Sequence, residues 1–313
     1  MPFLRIQNTE LNSILLTQTK KNRIFELKRQ AEEDNKNYDS FIQIKFTENE
    51  FELDMIIFEI KNELGKHLKM PNEVRINHKK WVLLNYPSII DAYKAGMSTK
   101  KFTKFALNAM TCNYCKLKND ITPLKKLMEK TDKVRITGKN TDITFSIKNM
   151  PIIPCCGEKN IPDGEIYTAP IKQTVNGFIT YNTKSLYNVN NFENISLTIK
   201  NGKIIDAKCK NNTKELNEIF NSDDGSRYIG EFAIGVNKKI LDPIGDILYD
   251  EKINGSIHFT PGCCYDDANN GNKSIIHWDL VLIQRKEYGD GNIYFDNILI
   301  RENGKFVIED LNI

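Results

Sequence analysis

From about Val134 to Asp310 the chain is a succession of short β-rich runs separated by turn signals. They are VRITG, TDITFSI, EIYTAP, GFITYN, ISLTIKNGKIIDAKC, RYIGEFAIGV, GSIHF, SIIHWDLVLI and NIYFDNILIRENGKFVIED. Asn201-Gly202 and Asn303-Gly304 each separate two alternating runs. Asn-Gly is the strongest short hairpin signal, because a two-residue loop matched to the twist of its strands needs positive φ at both positions. Residues 131–313 are therefore expected to form a β-rich α+β domain, with a domain boundary near residue 131.

The first 130 residues have another texture. Leu11, Leu15, Ile24 and Leu27 recur at near-helical spacing between Glu10 and Glu33, and Leu53–Leu68 returns to that spacing. Phe41–Phe46 alternates like a short strand, and Lys80–Leu84 reads as a buried one. Pro87-Ser88 opens an Ala/Lys-rich helix, Ser98 is placed to cap the next, and Thr122-Pro123 places proline at the first position of another. Strands alternating with helices predict an α/β domain over 1–130. The fold class is thus α/β followed by β-rich α+β.

Residues 1–130 hold 23 Lys/Arg against 16 Asp/Glu, and residues 131–313 hold 21 against 25. The basic excess is scattered over helical stretches without interleaved aromatics, so no nucleic-acid partner is expected. The acidic half is where cations are expected. No apolar run approaches the roughly 20 residues that span a bilayer, and no secretory leader is read at the N-terminus, so a cytoplasmic protein away from membranes is expected. Seven cysteines, an odd number, fit reduced thiols. Cys112-Asn-Tyr-Cys115 has no second pair to complete a zinc site.

Four segments carry chemistry. In SIIHWDLVLI, strand alternation puts His277 and Asp279 on one face and Ile276, Trp278 and Leu280 on the other. A carboxylate in so apolar a strand needs compensation for its charge. In RYIGEFAIGV the same alternation groups Arg227, Ile229, Glu231, Ala233 and Gly235, so Glu231 wants either Arg227 or a metal. His258 follows the Asn254-Gly255 turn, with Tyr265 beyond Pro261-Gly262; in NIPDGEIYTAP a Pro-Asp-Gly turn delivers Glu165 to a strand start. Three carboxylates and two imidazoles suit two borderline cations. The remaining histidines, His67 and His78, are expected at the surface.

These segments, in this order and with KKWVLLNYPS, AGMSTKKF and DEKINGSIHF, resemble the aminopeptidase T family, the thermophilic-type metallo-aminopeptidases. The resemblance runs from about Arg75 to Val281. It implies an N-terminal α/β domain, here shortened by several dozen residues, and a C-terminal domain holding two divalent ions (Zn, Co or Mn). It implies release of N-terminal amino acids from peptides with a free N-terminus, a homodimer and a cytoplasmic location. The family's metal ligands fall on Glu165, Glu231, His258, His277 and Asp279, and its active-site tyrosine on Tyr265. Glu251 is a candidate base or extra ligand. The ligand set alone also permits another amide or ester hydrolase, or a catalytically silent metal-binding homologue.

Overall fold

The computed structural model describes residues 2–19, 21–46, 48–49, 51–187 and 190–311. By contact the chain divides into two compact units, Met1–Ile90 and Asp91–Ile313. Helix and sheet are mixed in the arrangement expected, α/β followed by a β-rich part.

In the first unit, helices Thr9–Thr19, Lys21–Asn37 and Phe58–His78 accompany two parallel strands, Ser40–Lys45 and Lys80–Asn85, paired Ser40 to Lys80 through Lys45 to Asn85. The third helix starts later than the Leu53–Leu68 spacing suggests, because 51–55 form turns. Leu16, Ile24 and Ile56 form a small buried cluster, supported by Leu27, Ile60 and Leu64.

The second unit opens with helices. Ser98 caps Thr99–Met110, its hydroxyl accepting from the Lys101 amide at 3.3 Å. The helix expected to start at Pro123 instead runs Tyr114–Lys130, capped by Asn113, with Pro123 inside it. Its apolar stripe, Ile121, Leu124 and Met128, is continuous with the main core, and that burial outweighs the proline's lost donor. Phe102, Ala106 and Ala109 pack with Tyr249, Val281 and Ile283. Both helices thus bury their stripes in the second unit, so the contact division precedes them, whereas residue 131 marks the change from helix to sheet.

Two large antiparallel sheets follow, besides a two-stranded one. The larger runs in the order Lys203–Lys208, Ser196–Lys200, Asn176–Thr180, Thr141–Ser146, Lys133–Gly138, Gly291–Phe295, Ile298–Glu302, Lys305–Phe306. Both Asn-Gly pairs close hairpins within it, with φ of 49° and 83° at Asn201 and Gly202, and 49° and 79° at Asn303 and Gly304. The smaller runs Val281–Ile283, Ser256–Pro261, Ile229–Gly235, Glu165–Thr168, Ile153–Cys155. The core lies between them, where the Phe145 ring meets Phe232 at 5.0 Å and Phe259 at 5.1 Å. No described helix is long and apolar enough to cross a membrane.

Candidate metal centre

Apart from its edge strand Ile153–Cys155, the smaller sheet is buried on both faces. Ile166, Phe232, Ile234, Ile257 and Phe259 point into the inter-sheet core. Alternation then turns Glu165, Glu231, Ala233, Gly235 and His258 to the opposite face. Ala233 is paired with His258, and Gly235 with Glu165. Two small residues, Ala233 and Gly235, thus sit beside the two ligand candidates and leave room above the sheet.

On that face the five residues singled out by the sequence come together. His258 Nε2 lies 2.8 Å from Glu231 Oε1 and 3.5 Å from Glu165 Oε2. His277 Nε2 lies 3.3 Å from Asp279 Oδ1 and 3.9 Å from Glu231 Oε2. Ligand atoms of Glu231, His258 and Asp279 fall within 4.8 Å of one another, as do those of Glu165, Glu251 and His258. His277 and Asp279 share a face as expected, although the regular strand begins only at Val281; a single bridge to Gly262 holds the segment before it. His277 Nδ1 donates to the Cys263 carbonyl at 2.7 Å, which leaves Nε2 aimed at the carboxylates. Thr260 donates to Asp279 at 2.7 Å.

The expected Arg227–Glu231 alternative does not form. The register shifts between Ile229 and Glu231, so Ile229 enters the inter-sheet core while Glu231 faces the cluster. Arg227 donates instead to Asn221, Asn217 and the Ile204 carbonyl.

The electrostatics follow from burial of so many charges. Burial depresses the pKa of His258, but the Glu231 hydrogen bond and the charges of Glu165, Glu231 and Asp279 outweigh it, leaving a value of about 9. Burial is likewise overcome at His277, where Asp279 and Glu231 raise the pKa to about 10. Asp279 is lowered, because the two histidines and Thr260 outweigh its burial. Burial raises Glu231, and it pushes Glu251 up to about 8. Glu165 Oε2, Glu231 Oε2 and His258 Nδ1 are buried and make no hydrogen bond within the protein. Buried carboxylate oxygens without donors, beside an imidazole already fixed in tautomer, fit divalent cations.

Tyr265 lies at the rim, its ring 4.6 Å from His277 and 5.7 Å from Tyr167, and it is 49% exposed. Burial at its hydroxyl end and the charges of Glu231, Asp279, Glu251 and Glu165 raise its pKa well above the usual phenol range.

Three neighbours escaped the sequence reading. Lys252 is fully buried and its ammonium bonds Glu165 Oε1 at 2.7 Å and Glu251. Asp163 accepts from the Gly157 and Gly164 amides, and Cys155 pairs with Glu165 across the sheet edge. Asp163 and Lys252 stand in segments quoted for other members, NIPDGE and DEK, where one reads as a turn residue and the other as surface charge. Only the position of Cys155 opposite Glu165 marks it, and that requires the pairing.

The thiols of Cys112 and Cys115 are free, as are those of the other five cysteines. The sequence matches the thermophilic metalloprotease (M29) family model over residues 5–306. The chain belongs to this family. Aminopeptidase AmpS of Bacillus subtilis (strain 168) is 31% identical over 124 residues, a stretch covering 39% of this chain and 30% of the relative. The chain therefore spans under a third of that relative's length. Wild-type AmpT from Thermus thermophilus shares the fold with a TM-score of 0.78 at 14% identity, over 97% of this chain and 86% of that one. The 2,5-dihydroxypyridine dioxygenase from Pseudomonas putida KT2440 shares it with a TM-score of 0.59 at 12% identity, over 98% and 100%. The family carries metal-dependent peptidase chemistry, whereas the fold by itself does not specify the reaction.

Proposed function

We propose that the protein is a two-metal aminopeptidase that removes N-terminal residues from peptides with a free N-terminus. The observation that carries the reading is the meeting of Glu165, Glu231, His258, His277 and Asp279 on one sheet face, with buried carboxylate oxygens that no protein donor uses. Those five residues would hold the ions (Zn, Co or Mn). Bound there, divalent ions polarise a scissile carbonyl and lower the pKa of water from about 15.7 towards about 7.

The chain's own groups do the rest. Glu251, whose pKa burial raises to about 8, takes the proton of the attacking water and returns it to the leaving amine. Tyr265, kept protonated and at the rim, donates a hydrogen bond to the oxygen that becomes negative in the tetrahedral intermediate. A homodimer and a cytoplasmic location are the assembly and compartment in keeping with this reading.

A mononuclear oxygenase on the same fold would need only two histidines and one carboxylate. The extra carboxylates Glu165 and Glu231 favour two ions. Dialysis against a chelator is expected to abolish hydrolysis of aminoacyl anilides, and added Zn, Co or Mn to restore it. N-acetylated substrates are expected to be refused. Undiminished hydrolysis after metal removal overturns the reading, and equal turnover of acetylated substrates replaces it with a general amidase.

A further inference from the structure

We infer that Lys252 is a resident cation of the centre, a positioning residue whose ammonium fills a third cation position bounded by Cys155, Asp163, Glu165 and Glu251. The inference rests on the two-metal reading above and deepens it. Ligand atoms of Cys155, Asp163 and Glu165 lie within 4.8 Å of one another, as do those of Glu165, Glu251 and His258, so each group has the dimensions of a metal site. The Lys252 ammonium touches members of both. It bonds Glu165 Oε1 at 2.7 Å and Glu251, and lies 3.9 Å from Asp163 Oδ1.

The backbone that delivers it is tightly fixed. The Lys252 amide donates to Tyr249 and its carbonyl accepts from the Asn237 amide at 3.0 Å. Gly235 makes the approach feasible, because a Cβ there would stand 2.3 Å from the Ile253 carbonyl oxygen and 3.0 Å from that of Glu251. Lysine also divides the work of Glu165: Oε1 is held by the ammonium, whereas Oε2 has no protein donor and faces His258. The charges balance on the same terms. Asp163, Glu165, Glu231, Glu251 and Asp279 bring five negative charges against one ammonium, and the remaining four match two divalent ions. A third ion is thereby excluded, and the thiol of Cys155 is kept from ligating.

The test is a Co(II) titration of the full chain, following bound cobalt and the near-ultraviolet thiolate-to-cobalt band. Wild type is expected to take about two ions without that band. Lys252→Ala is expected to take about one more and gain the band, and Lys252→Ala/Cys155→Ser to lose it again. Unchanged stoichiometry and no band in Lys252→Ala overturn the assignment of Lys252. Fewer than two ions in wild type overturn the two-metal reading instead, and the difference between variant and wild type still decides on Lys252. If Lys252→Ala does not fold metal-free, Lys252→Gln is melted beside it with and without cobalt. A larger cobalt-induced rise in Tm for either variant than for wild type supports the assignment; variants that stay unfolded in cobalt, or gain no more than wild type, overturn it.

Discussion

The two units differ in how they use apolar residues. Met1–Ile90 buries Leu16, Ile24 and Ile56 as its main cluster and leaves Ile42 75% exposed and Met55 78% exposed. Asp91–Ile313 closes two sheets around Phe145, Phe232 and Phe259 and still has depth to bury a lysine, an arginine and several carboxylates. Charged groups can be held away from water only where surrounding structure supplies partners and rigidity. The proposed chemistry therefore belongs to the unit with the deeper core, and the comparison can be broken at several points.

The largest effect is expected from Glu231→Gln. Loss of a partner outside the ligand set commonly costs 10–100-fold, so loss of a proposed ligand should reduce anilide hydrolysis by more than about 100-fold. Near-wild-type turnover removes Glu231 from the centre. Next, Phe232→Ala should cost about 3–5 kcal/mol in denaturant unfolding, the usual range for a buried aromatic. Ile24→Ala in the small cluster should fall near the lower end of about 2–5 kcal/mol, because a shallow site relaxes around the loss. Equal costs would erase the contrast between the units.

The pH response comes third. His258 and His277 have folded pKa values raised to about 9 and about 10. In the metal-free chain their contribution is whole below the ordinary histidine value of about 6.5 and lost as pH rises through those folded values. Glu251, raised to about 8, adds to the same trend, since its buried ionisation opposes folding as pH rises. Asp279, lowered, acts only in acid: its contribution is present above about 3.9 and lost as pH falls towards its depressed value. The Tm of the chelated protein should thus fall between about pH 6.5 and 9, and less so with metal, because ions replace those protons. A flat profile without metal contradicts the buried cluster. The smallest effect is Thr260→Val, which removes the 2.7 Å bond to Asp279 and should weaken metal binding by about 10-fold in a dialysis titration. No change there would make Thr260 a packing residue.

Local signals in the sequence were faithful where the determining physics is local. Asn201-Gly202 and Asn303-Gly304 specify their turns through backbone sterics alone, and His277 and Asp279 share a face because alternation is a property of any extended chain. The family match over residues 5–306 agrees with the resemblance read from NIPDGEIYTAP and HWDLV. Alternation failed at Ile229 and Glu231, where a register shift between strands reverses the face. Pro123 misled because the stripe it interrupts is paid by a tertiary core that composition does not display. Lys252 was invisible for the same reason: in Asp-Glu-Lys it looks like solvated charge, and only the closure of its turn over Gly235 makes it an interior residue.

The order of strands in the smaller sheet has a kinetic corollary. Glu165 and Asp279 come from near opposite ends of the stretch that builds it, and the Glu231 and His258 strands lie between them. The pairing of Glu165–Thr168 with Ile229–Gly235 spans the longest stretch of chain in this sheet, and such a contact closes late, after most of its loop entropy has been surrendered. The centre is thus assembled by a nearly finished fold: ions reward the completed sheet and slow its opening, but they cannot template its first contacts.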